Sequence, residues 1–199
     1  MTTTGTGTRG KYARGIASHA AILEAARDVL VERGFHGTSI TAIGERCGLT
    51  RKGVLHHFED KEQLVTSVLD DQLDRTAWFE GQIDAGVCVL DIFVGLIEVR
   101  IQRPEQVALL IALSAASADP SHPAHDWFSK RYEFHRTGLP EIIRDGQLRG
   151  EVRDDLPAED IALAILSMLE GLLLQWLQMP DAFDPVEMMA MFADTMRPR

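Results

Sequence analysis

The chain has 199 residues, of which 45% are hydrophobic and 25% are charged, a composition typical of a folded protein with a sizeable core. Its 2 cysteines are too few for a disulfide framework, and its N-terminal segment lacks the apolar core of a signal peptide. The most apolar stretch, 161–177, is interrupted by Ser167, Glu170 and Gln175. This favours a buried helix over a membrane span, so we expect a cytoplasmic protein with no membrane partner.

The net charge of −10 is distributed unevenly along the chain. Residues 1–58 contain eight Lys and Arg against four Asp and Glu, whereas residues 59–199 contain twelve against twenty-six. A basic segment can release counterions from the phosphates of a nucleic acid, while an acidic one is repelled by them. The asymmetry therefore indicates an N-terminal part that contacts nucleic acid and a remainder that faces away from it.

The first predicted elements are a flexible arm over residues 1–15 and a helix that follows it. Thr and Gly dominate the arm, and neither favours regular structure there. Ser18 can cap the start of the helix and Gly34 can end it. The apolar residues between them repeat at helical spacing: Ile22, Ala25, Ala26, Val29 and Leu30.

Residues 38–61, TSITAIGERCGLTRKGVLHHFEDK, predict two short helices joined by a glycine turn. Either Thr38 or Ser39 can cap the first helix, and Gly48 ends it. Gly44 lies four residues before that turn, where two closely crossing helices need a very small side chain. The pattern is typical of a helix-turn-helix.

The second helix of the motif is predicted over about 51–58, with the Thr50 hydroxyl as its cap. It begins with Arg51, Lys52 and Gly53, two long cationic side chains and a residue without side-chain bulk. Cationic donors at the N-terminal end of a recognition helix contact base edges in the major groove of DNA. The sequence therefore predicts that the protein binds double-stranded DNA.

This segment resembles the DNA-binding motif of the tetracycline-repressor (TetR) family, whose recognition helix typically reads Gly-Val-Ser-Lys/Arg-Gly-x-Leu-Tyr-x-His-Phe. The matching residues are 48–58, GLTRKGVLHHF. The resemblance is close over about the first third of the chain and extends to the rest only in length and helical pattern. It implies that Thr38 and Thr50 bind DNA phosphates and that Arg51, Lys52 and Gly53 contact bases. It also implies that His57 and Lys61 contact the DNA backbone. Leu55 and His56 complete the predicted DNA-binding set.

Two positions depart from the pattern of the family. Leu55 stands where the family has a tyrosine that donates to a phosphate, and Lys52 stands where it has a glycine. Leucine cannot donate a hydrogen bond, so one phosphate contact is in question while the charge facing the groove is increased. Packing of Leu55 in the core and its contact with a thymine methyl group both stay open.

Beyond the motif the pattern remains helical, which predicts an all-α protein of about nine helices. Asp60 and Gln63 form a capping-box pattern at the start of a fourth helix, and Pro140 is expected to kink or divide a later one. We expect a helix-turn-helix domain over 16–60 and a larger helical domain over 61–199. The later helices are predicted at about 86–101, 104–118, 123–149, 157–178 and 185–197.

The last two predicted helices indicate self-association. The first is apolar nearly all round and the second carries apolar residues such as Val186, Met189 and Phe192, so a lone protomer would expose a large patch. A second copy would bury it as a four-helix bundle, which is how the TetR family dimerises by its final two long helices. A two-fold dimer also matches a palindromic DNA site.

The interior of the second domain is the predicted site for a small-molecule effector. Most candidates are expected to pack in the core and only some to touch ligand. Glu170 is expected to be buried and to need a partner such as an Arg, a His, the second protomer or a cationic ligand. The ligand-binding candidates are Trp78, Phe79, Phe93, Trp127, Tyr132, His135, Met168, Glu170 and Trp176.

We assign no cofactor and no metal. His56 and His57 are adjacent on a helix and point about 100° apart, so they do not converge on one ion. His122, His125 and His135 include no close pair with ligand geometry, and no carboxylate triad accompanies them.

The leading hypothesis is a homodimeric regulator, most simply a repressor, that leaves its operator when a small molecule fills the second domain. One alternative is a small helical enzyme that uses His135 or Glu170 as an acid or base, although no nucleophile with a matched base is evident. Another is an architectural DNA-binding protein without an effector.

Overall fold

A computed structural model describes residues 7–72 and 75–198 of the chain. These residues form ten α-helices and no strand, which confirms the predicted all-α class. The helices are α1 (Gly7–Gly37), α2 (Ile40–Cys47), α3 (Arg51–Val54), α4 (Lys61–Gln72), α5 (Arg75–Asp84), α6 (Val89–Ile101), α7 (Pro104–Ala116), α8 (His125–Leu148), α9 (Ala158–Gln178) and α10 (Pro185–Thr195).

Several predicted helix boundaries are confirmed by their caps. The backbone N–H of Gln63 donates to Asp60 Oδ1 over 2.7 Å just before α4. Asp184 caps α10 by accepting from Val186 N over 2.8 Å, and Pro185 takes the first helical position. These side chains satisfy N–H groups that a helix leaves without partners at its start.

Other boundaries differ from the prediction. Residues 1–6 of the predicted arm lie outside the described residues, and α1 already begins at Gly7, so Ser18 lies inside the helix rather than at its start. Helix α5 was not among the predicted helices. Gly34, with φ 64°, interrupts α1 as expected.

Pro140 was expected to kink or divide its helix, and the expectation of a divided helix is wrong. Helix α8 runs through it without a break, and Pro140 is buried next to Leu139. A proline inside a helix costs one backbone hydrogen bond and some steric clash. Burial of the ring in the core offsets part of that cost.

The first compact unit comprises Met1–Leu73. Within it α1 packs against α2 and α4, and α2 packs against α3. The unit extends beyond the expected boundary at residue 60, because α4 buries its apolar side in it. DNA binding by the first domain, and effector binding and dimerisation by the second, stay predictions. Its core includes Ile22, Ala26, Leu30, Ile43, Val54, Leu64 and Val68.

The second compact unit comprises Asp74–Arg199. Helix α9 packs against α6, α7, α8 and α10, and α10 also packs against α6. Among the described residues α9 is the one helix long and apolar enough to cross a membrane, judged by length and composition alone. Its position among four other helices is that of a core helix. The central side chains of the unit include Leu90, Ile97, Ile143, Ile161, Ile165, Leu169 and Met189.

Candidate functional site

The start of α2 is capped by Ser39, the second of the two candidates. Its hydroxyl oxygen accepts from Ala42 N over 3.2 Å. The Thr38 side chain is only 3% exposed, its hydroxyl donates to Gly34 O over 2.7 Å, and its backbone N–H donates to Phe35 O. Both donors of Thr38 are therefore used inside the unit, which argues against its predicted phosphate contact.

The turn after α2 brings two backbone segments into very close approach. Gly48 has φ 72° and ends α2 in the left-handed conformation that glycine adopts without strain. The N–H groups of Gly48 and Leu49 both donate to Gly44 O, the second over 2.8 Å. A Cβ on Gly44 would lie 2.7 Å from Leu49 O and 3.4 Å from a methyl of Val54. The small side chain expected at Gly44 is thus required by geometry.

Helix α3 is short and fixed at both ends. The Thr50 hydroxyl oxygen caps it by accepting from Gly53 N over 3.1 Å, and Val54 is fully buried. The helix spans Arg51–Val54, and turns continue it through residue 57, so its regular part is shorter than the predicted 51–58. A capped start and a buried anchor hold the exposed face of α3 in one orientation.

The exposed face of α3 carries cations that have no partner in the described part of the chain. The Arg51 and Lys52 side chains are exposed and make no ion pair or hydrogen bond there. Arg46, in the last turn of α2, instead forms ion pairs with Glu32 at 2.6 Å and Asp28 at 3.4 Å. The two cations of α3 are thus available to an external anion, whereas the Arg46 charge is already compensated.

The remaining predicted DNA-binding residues lie at the edge of this face. His56 is exposed, and Leu55 and His57 are half-buried. The His57 ring lies 6.3 Å from the His19 ring, which in turn packs on Phe58 at 4.7 Å between centroids. His57 therefore belongs to a small aromatic cluster that joins α1 to the end of the motif.

Lys61 has a role inside the unit that the sequence did not indicate. Its ammonium group donates to Phe35 O over 3.0 Å and Thr38 O over 3.3 Å, and it lies 3.9 Å from the centre of the Phe35 ring. These contacts tie the start of α4 to the segment that leads into α2. A phosphate contact by Lys61 would require its ammonium to leave these carbonyls.

Several of the predicted effector-binding residues are core residues of the second unit. Trp78, Phe79 and Met168 pack against its apolar cluster, and Phe93 is buried within it. The Phe79 and Phe93 rings meet edge to face at 5.7 Å. Trp176 is half-buried on α9. The expectation that many of the aromatic candidates serve packing accords with these positions.

Two other candidates, Tyr132 and Glu170, meet in a polar network with Ser114, which was not predicted. The Tyr132 hydroxyl donates to Glu170 Oε1 over 3.0 Å and lies 2.9 Å from Ser114 Oγ, which links α8, α9 and α7. Glu170 is exposed in the protomer, so the expectation of a buried carboxylate is wrong there. Its observed partner is a tyrosine rather than an Arg or His, and burial raises the pKa of Tyr132 and keeps it protonated.

His135 is the most perturbed titratable group of this region. Burial, together with the positive charges of Arg131 and Arg100, lowers its pKa to about 4. The imidazole is therefore neutral at pH 7. Its Nε2 atom is buried and has no hydrogen-bond partner among the described residues.

A small unit that presents a capped helix with two uncompensated cations behind a glycine turn defines a helix-turn-helix DNA-binding protein. Comparison with known families gives the same class in more detail. Residues 22–68 match the family described as bacterial regulatory proteins, tetR family, and residues 91–197 match BetI-type transcriptional repressor, C-terminal. The chain belongs to the TetR family of transcriptional regulators.

Relatives and solved structures agree with this assignment. The HTH-type transcriptional regulator TtgR of Pseudomonas putida is 29% identical over 192 residues, covering 89% of each chain. Salmonella enterica GusR shares the fold with a TM-score of 0.74 at 24% identity, covering 90% of this chain and 94% of that one. FadR of Bacillus subtilis, solved in complex with stearoyl-CoA, has a TM-score of 0.68 at 16% identity over 88% and 95% of the two chains.

The close approach at Gly44 yields a test of the motif. Gly44→Ala places a methyl group 2.7 Å from Leu49 O, so α2 and the turn must separate. We expect a loss of about 1–3 kcal/mol in unfolding free energy, as for other overpacked sites, measured by thermal and denaturant unfolding. Gly81→Ala is the matched control, because a Cβ there meets nothing within 4 Å. Equal stability of the two variants would contradict the packing described for the turn.

Proposed function

We propose that this regulator is a homodimeric repressor that binds a palindromic operator through α3 and is released from it by a small molecule. The observation that carries the proposal is the exposed, uncompensated pair Arg51 and Lys52 on a capped helix. Such a pair at the start of a recognition helix donates to base edges in the major groove. We assign the protein no catalytic role and a cytoplasmic location.

The orientation of α3 suggests separate roles along it. Arg51, Lys52 and Gly53 would face the bases, where the missing side chain at Gly53 allows close approach. The Thr50 hydroxyl accepts from Gly53 N, which leaves its own hydrogen free to donate to a phosphate. His56 is exposed beside them and would contact the DNA backbone. Phosphate contacts of this kind fix the register of the helix, while base contacts supply specificity.

We infer that Leu55 packs within the helix-turn-helix motif. Its side chain is half-buried and its backbone N–H donates to Arg51 O over 3.0 Å. It cannot supply the phosphate contact of the family's tyrosine, so binding relies more heavily on the extra cation at Lys52.

Exposed apolar side chains on the last two helices support the dimer. Leu163 and Leu174 on α9 are 61% and 44% exposed, and Met191 on α10 is 57% exposed. Leu163 and Leu174 are eleven positions apart, about three helical turns, so they lie on one side of α9. Burial of this side against the same side of a second copy would remove it from water and supply two recognition helices per assembly.

The second unit is the proposed effector domain. Helices α6 to α9 bring the Tyr132, Glu170 and His135 side chains together with Ser114 in one region. Buried or half-buried polar groups among apolar helices are the features that fix a small ligand. The FadR structure, with its bound stearoyl-CoA, gives a precedent for a ligand in a protein of this fold.

Removal of the α3 cations tests the operator interface. Arg51→Ala and Lys52→Ala should each weaken operator binding by about 1–3 kcal/mol per lost base contact, with the dimer intact. Fluorescence anisotropy on DNA from beside its own gene, against a scrambled duplex at one salt concentration, measures this. Lys130→Ala removes a cation from the second unit and should leave the affinity for both duplexes unchanged. Equal losses on both duplexes would contradict base recognition and favour an architectural DNA-binding role.

Gly53→Ala separates the interface from the fold. A Cβ at Gly53 meets Leu49 and Thr50 atoms at 3.5 Å, which is ordinary contact, and alanine favours the helix by up to about 1 kcal/mol. We therefore expect unchanged or higher thermal stability together with about tenfold weaker operator binding, since the methyl group holds α3 away from the bases. Full operator affinity in a stable Gly53→Ala protein would remove Gly53 from the interface.

Charged substitutions on α9 test the dimer. The double variant Leu163→Glu with Leu174→Glu should raise the dimer dissociation constant by roughly a hundredfold or more, because two buried leucines contribute about 1.5–3 kcal/mol each. Sedimentation velocity of the full chain measures it. Leu148→Glu, at a residue 87% exposed on α8, is the matched control and should leave the dimer unchanged. A double variant that still dimerises normally would place the interface elsewhere.

A further inference from the structure

Arg131 on α8 holds a positive charge that the described part of the chain does not neutralise by an ion pair. The side chain is half-buried, and its guanidinium carbon lies 5.9 Å from the centre of the Trp127 ring. Glu170 is the carboxylate that acts on it electrostatically, but no carboxylate oxygen of the described residues lies within ion-pair distance. A guanidinium does not lose its proton in a protein, so this charge persists and its burial is costly without a counterion.

His135 lies four positions further along α8, on the same side of the helix as Arg131. Its buried Nε2 atom has no hydrogen-bond partner in the described chain. Arg131 and Arg100, the latter on α6, both disfavour protonation of this ring, which shows that their positive charges reach the same point. A buried polar atom without a partner requires an explanation, and a place for the polar group of a ligand is one such explanation.

Aromatic and hydroxyl groups lie near Arg131 on α8. The Trp127 and Phe128 rings meet edge to face at 4.8 Å, and Phe128 is buried. The Tyr132 hydroxyl and Ser114 Oγ add polar groups at the edge of the same region. The chemistry is that of an apolar wall with a cationic end.

We propose that the effector is an organic acid with an apolar or aromatic body, whose carboxylate binds Arg131 with His135 beside it. This inference rests on the proposed effector role of the second unit and specifies the class of ligand. A carboxylate supplies the missing counterion for Arg131, and a bidentate pair with a guanidinium is among the stronger hydrogen-bonded contacts. The charged and titratable groups that act on Arg131, Tyr132 and His135, besides these three themselves, are Glu170 and Arg100.

A cationic ligand fits the same region less well. Glu170 is the carboxylate that acts on Arg131 and Tyr132, and it is exposed and already accepts from the Tyr132 hydroxyl. The Glu170 carboxylate lies beyond ion-pair distance of Arg131, so it does not neutralise the guanidinium directly. A ligand cation near Arg131 would therefore meet net repulsion.

The test compares each acid with its neutral amide on the full-length protein. The probes are hexanoate, benzoate and 2-naphthoate and the three matching primary amides, titrated by calorimetry. At least one acid should bind about tenfold or more tightly than its amide, because only the carboxylate forms charge-assisted hydrogen bonds with arginine. Arg131→Met should abolish this preference, Arg131→Lys should retain part of it, and Lys130→Met, at the exposed neighbouring cation, should leave it unchanged.

Several results would overturn the proposal. They are equal binding of acid and amide, an acid preference that survives in a folded Arg131→Met protein, and no saturable binding of any of the three acids at up to about 1 mM. A thermal melt of each variant confirms that it is folded. The titrations contain no DNA, so acid binding and operator binding are measured independently. Loss of acid binding therefore overturns the ligand class, and loss of operator binding overturns the proposed function.

Discussion

The contact on which the DNA-reading unit depends is the approach of Gly44 to Leu49. The two residues are tied by a 2.8 Å hydrogen bond from Leu49 N to Gly44 O, and no side chain fits between the segments. This fixes where the chain turns after α2 and therefore which side chains of α3 face outward. The exposure of Arg51 and Lys52 follows from a backbone constraint several residues earlier. The Lys61 contacts with Phe35 O and Thr38 O brace the same arrangement from α4.

Local features of this unit could be predicted from the sequence because they depend on neighbouring residues. Glycine at Gly34 and Gly48 marks the ends of helices through backbone conformation, and Thr50 caps a helix that begins one residue later. Contacts between distant residues could not be predicted in this way. Thr38 is a good cap by residue type, yet its hydroxyl bonds to Gly34 O inside the unit, and Ser39 caps instead.

The second unit was harder to predict for the same physical reason. Helical periodicity located most of its helices but not α5, and Pro140 is tolerated inside α8 because tertiary packing offsets the local cost. A charged residue in an apolar run indicated a special position for Glu170. The partner that completes it, Tyr132, comes from another helix 38 positions away and follows only from the packing of α8 on α9.

Charge connects the two units to one function. Under the proposed function, the basic N-terminal part would present cations to DNA, and the acidic remainder would be repelled by its phosphates. Arg131 is an exception within the acidic part, and its incomplete neutralisation points to ligand chemistry rather than DNA chemistry. Under the two proposals, the cations of α3 bind phosphates and bases of DNA, and Arg131 binds the carboxylate of a ligand.

The most direct test of the central claim is selection of bound duplexes from a random DNA pool by the full-length protein. A dimer with one recognition helix per protomer should enrich an inverted repeat whose half-sites are centred about one helical turn, roughly 10 base pairs, or a small multiple of it apart. The selected site should also bind at least about a thousandfold more tightly than random DNA at the same salt concentration. Enrichment of no sequence, or of a single unrepeated half-site, would contradict the account of a two-fold regulator that reads DNA through α3.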